Sequence, residues 1–308
     1  MELNYLNLFI CSKELIRNKK SISREINCLG NRKKLRYSIT QEIIISWVIF
    51  FGIILVVIGM FVDTHCHIYA EYYDNIDELI KKIKTSKISK VINNGCDSNS
   101  NKEVIELINK YDCMYGAIGI HPEYASTYSQ EDLKYIEKNL DNKKVVAIGE
   151  IGLDYHYGKE NKDLQIKLFR EQLEIAQKYN KPVIIHSRDA TLDTIDVLRD
   201  YKVKGVIHSF SGSYETAKVY LSMGFILGIN GVVTFKNCNL SEVLRRLSLN
   251  DFILETDSPY LTPVPFRGQK NDSSHIIDIA KFISEIKGVS LDHISLETNA
   301  NVARFFDI

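Results

Sequence analysis

The chain has 308 residues, 45% hydrophobic and 25% charged, and its 39 Lys and Arg balance 39 Asp and Glu. That length suits one large domain or two small ones, and the composition argues for a packed core and against disorder. Zero net charge excludes a protein that grips nucleic acid by bulk positive charge, and six scattered cysteines without a CxxC pair disfavour a disulfide framework or a cysteine zinc site and favour a reducing compartment.

The charge is unevenly spread. Residues 1–42 carry nine Lys and Arg against four Asp and Glu, so the remainder is acidic by the same margin. The run from Ile43 to Gly59 holds no charge, and 43–62 has the length of a membrane-spanning helix with a basic flank that would stay in the cytoplasm. Phe61 and Val62, however, also open the first strand of the domain that follows, so a span would abut a buried strand with almost no linker. The preferred reading starts translation at Met60 and makes 1–59 an N-terminal extension outside the functional domain at 60–308. The alternative anchors the chain to a membrane through 43–59. The expected location is cytoplasmic under the first reading and membrane-anchored under the second.

From residue 60 onward, short apolar runs alternate with amphipathic ones. The strands are predicted at 61–67, 90–96, 114–121, 145–154, 182–188, 205–210, 225–235 and 252–257. The helices between and after them are predicted at 75–86, 102–111, 130–140, 163–179, 191–201, 214–223, 240–249 and 274–287. In the longest helix, Leu164, Leu168, Ile175 and Tyr179 recur at helical spacing and are expected to form a buried stripe. Eight strands, each followed by a helix, in roughly 250 residues are the arithmetic of a closed α/β (β/α)8 TIM barrel. A doubly wound open sheet is the alternative, but the turn after the first strand lacks a glycine-rich phosphate loop.

In such a barrel the chemistry sits where strands end and loops begin. Side chains alternate along a strand, so His65 and His67 share a side while Cys66 faces the helices. His121, His186 and His208 fall at the ends of strands three, five and six, and Glu150 and Asp257 on strands four and eight. Imidazole and carboxylate are the donors favoured by zinc, manganese and magnesium-like ions. Six candidate ligands (His65, His67, Glu150, His186, His208, Asp257) exceed the needs of one tetrahedral metal. Two metals about 3.5–4 Å apart would use them all. Glu150 is the natural bridge, since strand four lies between strand one and strands five and six.

The ordered motifs DTHCH, GIHP, AIGEIGLDYH, IIHSRDA, HSFSGS and ETDSPYLTPVPFRG resemble those of the TatD family of metal-dependent deoxyribonucleases, from about Met60 to the C-terminus. The resemblance implies a TIM barrel, two divalent metal ions (Zn, Mg or Mn) and hydrolysis of DNA, often as a 3′-to-5′ exonuclease on single strands. It also implies His65, His67 and Asp257 on one metal, His186 and His208 on the other, and Glu150 bridging. After Arg267-Gly268 the family commonly continues to Asn-Glu-Pro, where this chain reads Gln-Lys-Asn-Asp-Ser, so the loop on the substrate side is expected to differ.

The mechanism expected is in-line attack of a metal-activated water on a phosphodiester, with Asp257 and Glu150 as the catalytic carboxylates and Asp257 orienting the water, taking its proton or acting as ligand only. His121, Arg188 and Arg267 are candidate phosphate contacts. Ser211-Gly212-Ser213 reads most simply as a helix N-cap. His156 is open between substrate contact and loop packing, and His275 and His293 read as surface or packing residues. The acidic balance of 43–308 predicts local, metal-led binding of DNA ends, with a shallow dependence on salt. Two rivals remain. One is a different ester substrate, such as an aminoacyl-tRNA ester, on the same site. The other is a membrane-tethered protein without catalysis.

Overall fold

The computed structural model describes residues 59–308. Its eight strands are β1 (Phe61–Cys66), β2 (Ile88–Asn94), β3 (Met114–Ile118), β4 (Val145–Asp154), β5 (Val183–Arg188), β6 (Gly205–Ile207), β7 (Phe225–Ile229) and β8 (Phe252–Leu254). They pair in chain order, all parallel. β8 returns to β1 through a Cys66–Ser258 bridge, with His67 N donating to Ser258 O at 2.7 Å and Asp257 N to His65 O at 2.9 Å. Around this barrel run α1 (Ile76–Thr85), α2 (Ser98–Lys110), α3 (Gln130–Asn139), α4 (Lys162–Tyr179), α5 (Thr191–Leu198), α6 (Tyr214–Ser222), α7 (Leu240–Arg246), α8 (Ile276–Lys287) and α9 (Leu291–Phe306). This is the expected (β/α)8 arrangement.

The core has two layers. Inside the barrel every strand contributes: Val62, Ile92, Ala117, Val146, Ile184, Val206, Ile226 and Ile253 form one cluster, joined by Val302 and Phe306 of α9. The larger layer lies between sheet and helices and includes Phe61, Cys66, Phe169 and Phe252. Each such side chain, fully buried, contributes roughly 2 kcal/mol. A small-residue, β-branched interior is what a filled eight-stranded barrel requires.

Sequence and structure part at three places. Six of the eight predicted strands overrun their C-terminal ends, β4 and β5 ending as predicted, because the chain leaves the ladder where polar side chains gather. In β7 the apolar run continues past Ile229 as a tight turn instead of a strand, started by Asn230, whose side chain accepts from Val232 N. In α4 the buried face is Gln165, Leu168, Phe169, Gln172, Leu173 and Ala176, whereas Leu164 and Tyr179 are exposed. The two glutamines are buried because each pins a loop: Gln165 pairs with the Asp154 backbone and Gln172 with the Ile120 backbone. Helix α9 has no predicted counterpart. Its buried face mixes Ile294, Val302 and Phe306 with Ser295, Thr298 and Asn301, which breaks the apolar period. Asn301 Nδ2 donates to the carbonyls of Leu249 and Phe252, both at 2.8 Å, and so ties α9 beneath β8.

Among the described residues no helix is long and apolar enough to cross a membrane. The proposed span at 43–59 lies, except for Gly59, outside the described residues.

Gly152 faces the β5 backbone at a φ of 144°, and a Cβ there would lie 2.0 Å from His186 O. Only glycine tolerates both the dihedral and the approach. Gly152→Ala is expected to lower the unfolding free energy by roughly 3 kcal/mol. Urea denaturation of the purified variant reads this directly, and a midpoint equal to that of the parent would contradict the packing described.

Candidate metal centre

Two strands carry a register shift at the point where they present donors. β1 shifts against β2 between Asp63 and Cys66, and β4 against β5 between Ile148 and Ile151. Val62 belongs to the barrel interior, so strict alternation from it would turn His65 outward. The shift instead leaves His65 and His67 facing the mouth and Cys66 in the outer layer, its Sγ donating to Ile92 O at 3.3 Å. Asp63 holds this bend against β8: its carboxylate accepts from Thr256 N at 2.9 Å and Thr256 Oγ1 at 2.6 Å. Asp257 follows at a φ of 56°, fixed by its own N–H to His65 O and by Tyr260 N to its carbonyl.

Five side chains converge at the mouth. His65 Nε2 lies 3.1 Å from His67 Nε2, 3.4 Å from Glu150 Oε2 and 3.7 Å from Asp257 Oδ1. His67 Nε2 lies 3.7 Å from Glu150 Oε2 and 3.5 Å from Asp257 Oδ1. A cation held about 2.1 Å from each of four tetrahedral ligands sets them about 3.4 Å apart, so these donors fit one divalent ion. His208 Nε2 is 3.8 Å from Glu150 Oε1 and 3.6 Å from Asp257 Oδ1, and its ring stacks on His65 with centroids 3.5 Å apart.

The far side of the His67 ring is fixed by the backbone. His67 Nδ1 donates to Asn94 O at 3.1 Å, which leaves Nε2 with a free lone pair towards the cluster. His208 Nδ1 lies 2.9 Å from Oε1 of the buried Glu255, while the buried His65 Nδ1 has no hydrogen-bond partner. His186 differs. Its Nδ1 meets Glu150 Oε1 at 2.6 Å and its Nε2 meets Asp154 Oδ2 at 2.9 Å, while its ring is 6.5 Å from that of His208. The structure therefore gathers His65, His67, Glu150, His208 and Asp257 in one cluster. It joins His186 to that cluster through Glu150 alone, in a second group of donors with His121 and Asp154.

The electrostatics follow from burial against partners. Burial alone would raise the Glu150 carboxyl, but His208, His65 and the His186 hydrogen bond hold it well below its usual range. Burial opposes a charge on His186, yet the bonds to Asp154 and Glu150 lift it to about 9. His208 also reaches about 9, against burial, through Glu255, Asp257 and Glu150. Burial and the neighbouring His186 push His121 down to about 3. Its Nδ1 accepts from Glu123 N at 3.2 Å, so a neutral His121 carries its proton on Nε2, 4.0 Å from Glu150 Oε1.

The other candidates lie further out. Among the described residues neither Arg188 nor Arg267 pairs with a ligand carboxylate. The Arg188 guanidinium stands 5.8 Å from the Tyr157 ring, and that of Arg267 lies 3.9 Å from the Phe235 ring, donating to Thr262 O. Ser213 is the N-cap of α6, as expected, accepting from Thr216 N. His156 contacts Asp189, His275 packs on Phe266, and His293 pairs with Glu297. Sequence reasoning assigned no role to Asp63, Asp154, Glu255 or Cys96, whose Sγ is 3.8 Å from His67 Nδ1. The signal for three of them was adjacency, since each stands within two or three residues of a motif histidine or aspartate. Cys96 gave none.

Residues 62–307 match the family described as TatD related DNase. The metal-dependent hydrolase YabD of Bacillus subtilis is 41% identical over 254 residues, covering 81% of this chain and all of its own length. The metal-dependent hydrolase YcfH of Escherichia coli is 35% identical over 256 residues, covering 80% and 96%. The crystal structure of YjjV, a TatD homologue from E. coli, superimposes with a TM-score of 0.77 at 27% identity, covering 82% of this chain and 99% of that one.

Glu150 touches both groups of donors, so its loss should empty the centre. Glu150→Ala is expected to weaken divalent-metal binding to the stripped protein at least tenfold, on the order of what loss of ligand support costs. Calorimetric titration with Zn²⁺ or Mn²⁺ measures it, and equal affinity in the two proteins would remove Glu150 from the centre.

Proposed function

Because the chain belongs to the TatD related DNase family and is a metal-dependent hydrolase, we propose that it is a deoxyribonuclease that trims single-stranded DNA ends, in the 3′-to-5′ sense, on a pair of divalent ions. The observation that carries this reading is the cluster of His65, His67, Glu150, His208 and Asp257 at the barrel mouth, with neutral His121 beside it. His65, His67, Glu150 and Asp257 would hold one ion, and Glu150, His208 and His186 the other. To serve as a ligand there, His186 would have to give up one of its two carboxylate contacts. Bound there, the ions would supply Lewis-acid chemistry, lowering the pKa of a water and neutralising charge on phosphate oxygens.

The chain's own groups would do the rest. Asp257, on a backbone fixed by two hydrogen bonds, orients the attacking water and takes its proton. His121 donates its Nε2 proton to a phosphate oxygen, a role open to a neutral imidazole at any physiological pH. Arg188, at the end of β5, offers a bidentate clamp to the next phosphate. Arg267 is occupied with Phe235 and Thr262 and has no part in this scheme. Glu150 stands where many related barrels use a modified lysine. Lys144 lies at the other end of β4, with its ammonium donating to the carbonyls of Ile108 and Tyr111.

With Mn²⁺ or Mg²⁺ added, the protein is expected to shorten a 5′-labelled single-stranded oligonucleotide from its 3′ end and to stop on addition of chelator. Asp257→Asn should lower kcat by about 10²–10⁴. Hydrolysis of an aminoacyl ester with no cleavage of DNA would replace this reading with the alternative ester substrate.

A further inference from the structure

We infer that the barrel mouth carries two aromatic shelves, Tyr260 with Tyr72 on one lip and Tyr157 with Arg188 on the other, which stack the bases flanking a scissile phosphate and make the enzyme selective for single strands of DNA. This rests on the nuclease reading above and adds its specificity residues.

The shelves are placed by topology. Tyr72 follows β1 and Tyr260 follows β8, and these two strands meet at the seam of the barrel. Tyr157 follows β4 and Arg188 ends β5, halfway round a ring whose order runs from β1 to β8. The metal ligands, from β1, β4, β5, β6 and β8, lie between the two lips.

Neither exposed ring, Tyr157 nor Tyr260, belongs to the hydrophobic core, whereas Tyr72 is partly buried and packs against it. Tyr157 is 89% exposed, and its ring is met by the Arg188 guanidinium at 5.8 Å. It stands three residues after Asp154, and Arg188 two after His186, the two residues paired at 2.9 Å beside the centre. On the other lip Tyr260 is 49% exposed, with its ring 6.3 Å from that of His67. Tyr260 Oη donates to Tyr72 Oη at 2.8 Å, with the two rings 5.8 Å apart, and Lys270 Nζ donates to the Tyr72 carbonyl. That bonding holds the Tyr260 ring in place before any ligand arrives.

Energetics favour this role. The chain beyond residue 42 is acidic on balance, so backbone electrostatics cannot supply the grip. An aromatic shelf supplies about 1–3 kcal/mol per stacked base without regard to sequence. A base can use it only after leaving its neighbours, which is free at a single-stranded end and costs a few kcal/mol in duplex.

The test uses the full chain with Mn²⁺ and two phosphodiesters, a short single-stranded oligonucleotide and thymidine 5′-(p-nitrophenyl phosphate), which has one base. For Tyr157→Ala and Tyr260→Ala, the ratio of kcat/KM for the oligonucleotide to that for the small diester is expected to fall about tenfold, mostly through KM, and Tyr157→Trp should restore it. Blunt duplex should be cleaved at least tenfold more slowly than the single strand. Thermal melting of each variant separates this from misfolding. An unchanged ratio in both alanine variants, or duplex cleaved as fast as single strand, overturns the stacking inference alone. Failure of the parent protein to hydrolyse either diester overturns the nuclease reading and this inference with it.

Discussion

Five ionisable side chains, each within about 4 Å of at least two of the others and nearly out of water, are the constraint to which the rest of the molecule answers. His65, His67, Glu150 and His208 are all buried, and Asp257 is close to it. A charge in that position carries a penalty of several kcal/mol unless it is matched by a partner. Without cations the match is internal: His186 and His208 sit at about 9 while Glu150 and Asp257 stay ionised. Two divalent ions would take over the positive charge and release the imidazoles to act as neutral ligands. The same donor set thus survives both states, which a buried cluster of carboxylates alone would not.

Holding those donors is work done by the barrel seam. β1 and β8 are distant in sequence, and the bonds that join them are the ones that aim the ligands. Asp63 accepts from Thr256 one residue before Asp257, and Asp257 N donates to the His65 carbonyl. The Asp63 carboxyl is fully buried and pushed up to about 7 by that burial, which its hydrogen bonds offset only in part. Closure of the sheet and geometry of the centre are therefore one set of contacts. An open sheet with the same strands would leave His65 and Asp257 on opposite edges.

The fold was legible because β-strand and helix periods alternate cleanly after residue 60 and because the interior of a filled barrel needs β-branched or small residues on every strand. The five clustered donors were legible because four of them stand at or just after strand C-termini and Glu150 lies on strand four between them, and strand ends of a barrel share one face. What escaped did so for physical reasons. Helix α9 hides its buried face behind Ser295, Thr298 and Asn301: Ser295 and Asn301 bond carbonyls remote in sequence, and Thr298 bonds Ile294 O one turn back in the helix. Gln165 and Gln172, polar residues that an apolar period does not count, are core residues because they bond backbone groups of loops remote in sequence. His186 carries two carboxylate contacts instead of facing His208, because Asp154, which the sequence reading left without a role, competes for its far nitrogen. The Arg267 guanidinium lies over the Phe235 ring, a contact between loops that no local pattern encodes.

The division between strand and loop also decides where specificity can reside. Donors fixed by ladder hydrogen bonds and buried neighbours are rigid and set the reaction class, hydrolysis at an activated water. They say little about what is hydrolysed, since a phosphate and a carboxylic ester present similar oxygens to a cation. Discrimination must come from groups that reach past the reacting centre, and in this chain those stand on the loops after β1, β4, β5 and β8. These loops hold exposed aromatic rings and two guanidiniums, Arg188 near the Tyr157 ring and Arg267 on the Phe235 ring, in a region that is acidic on balance. On the nuclease reading, a surface of that composition would discriminate by stacking more than by charge.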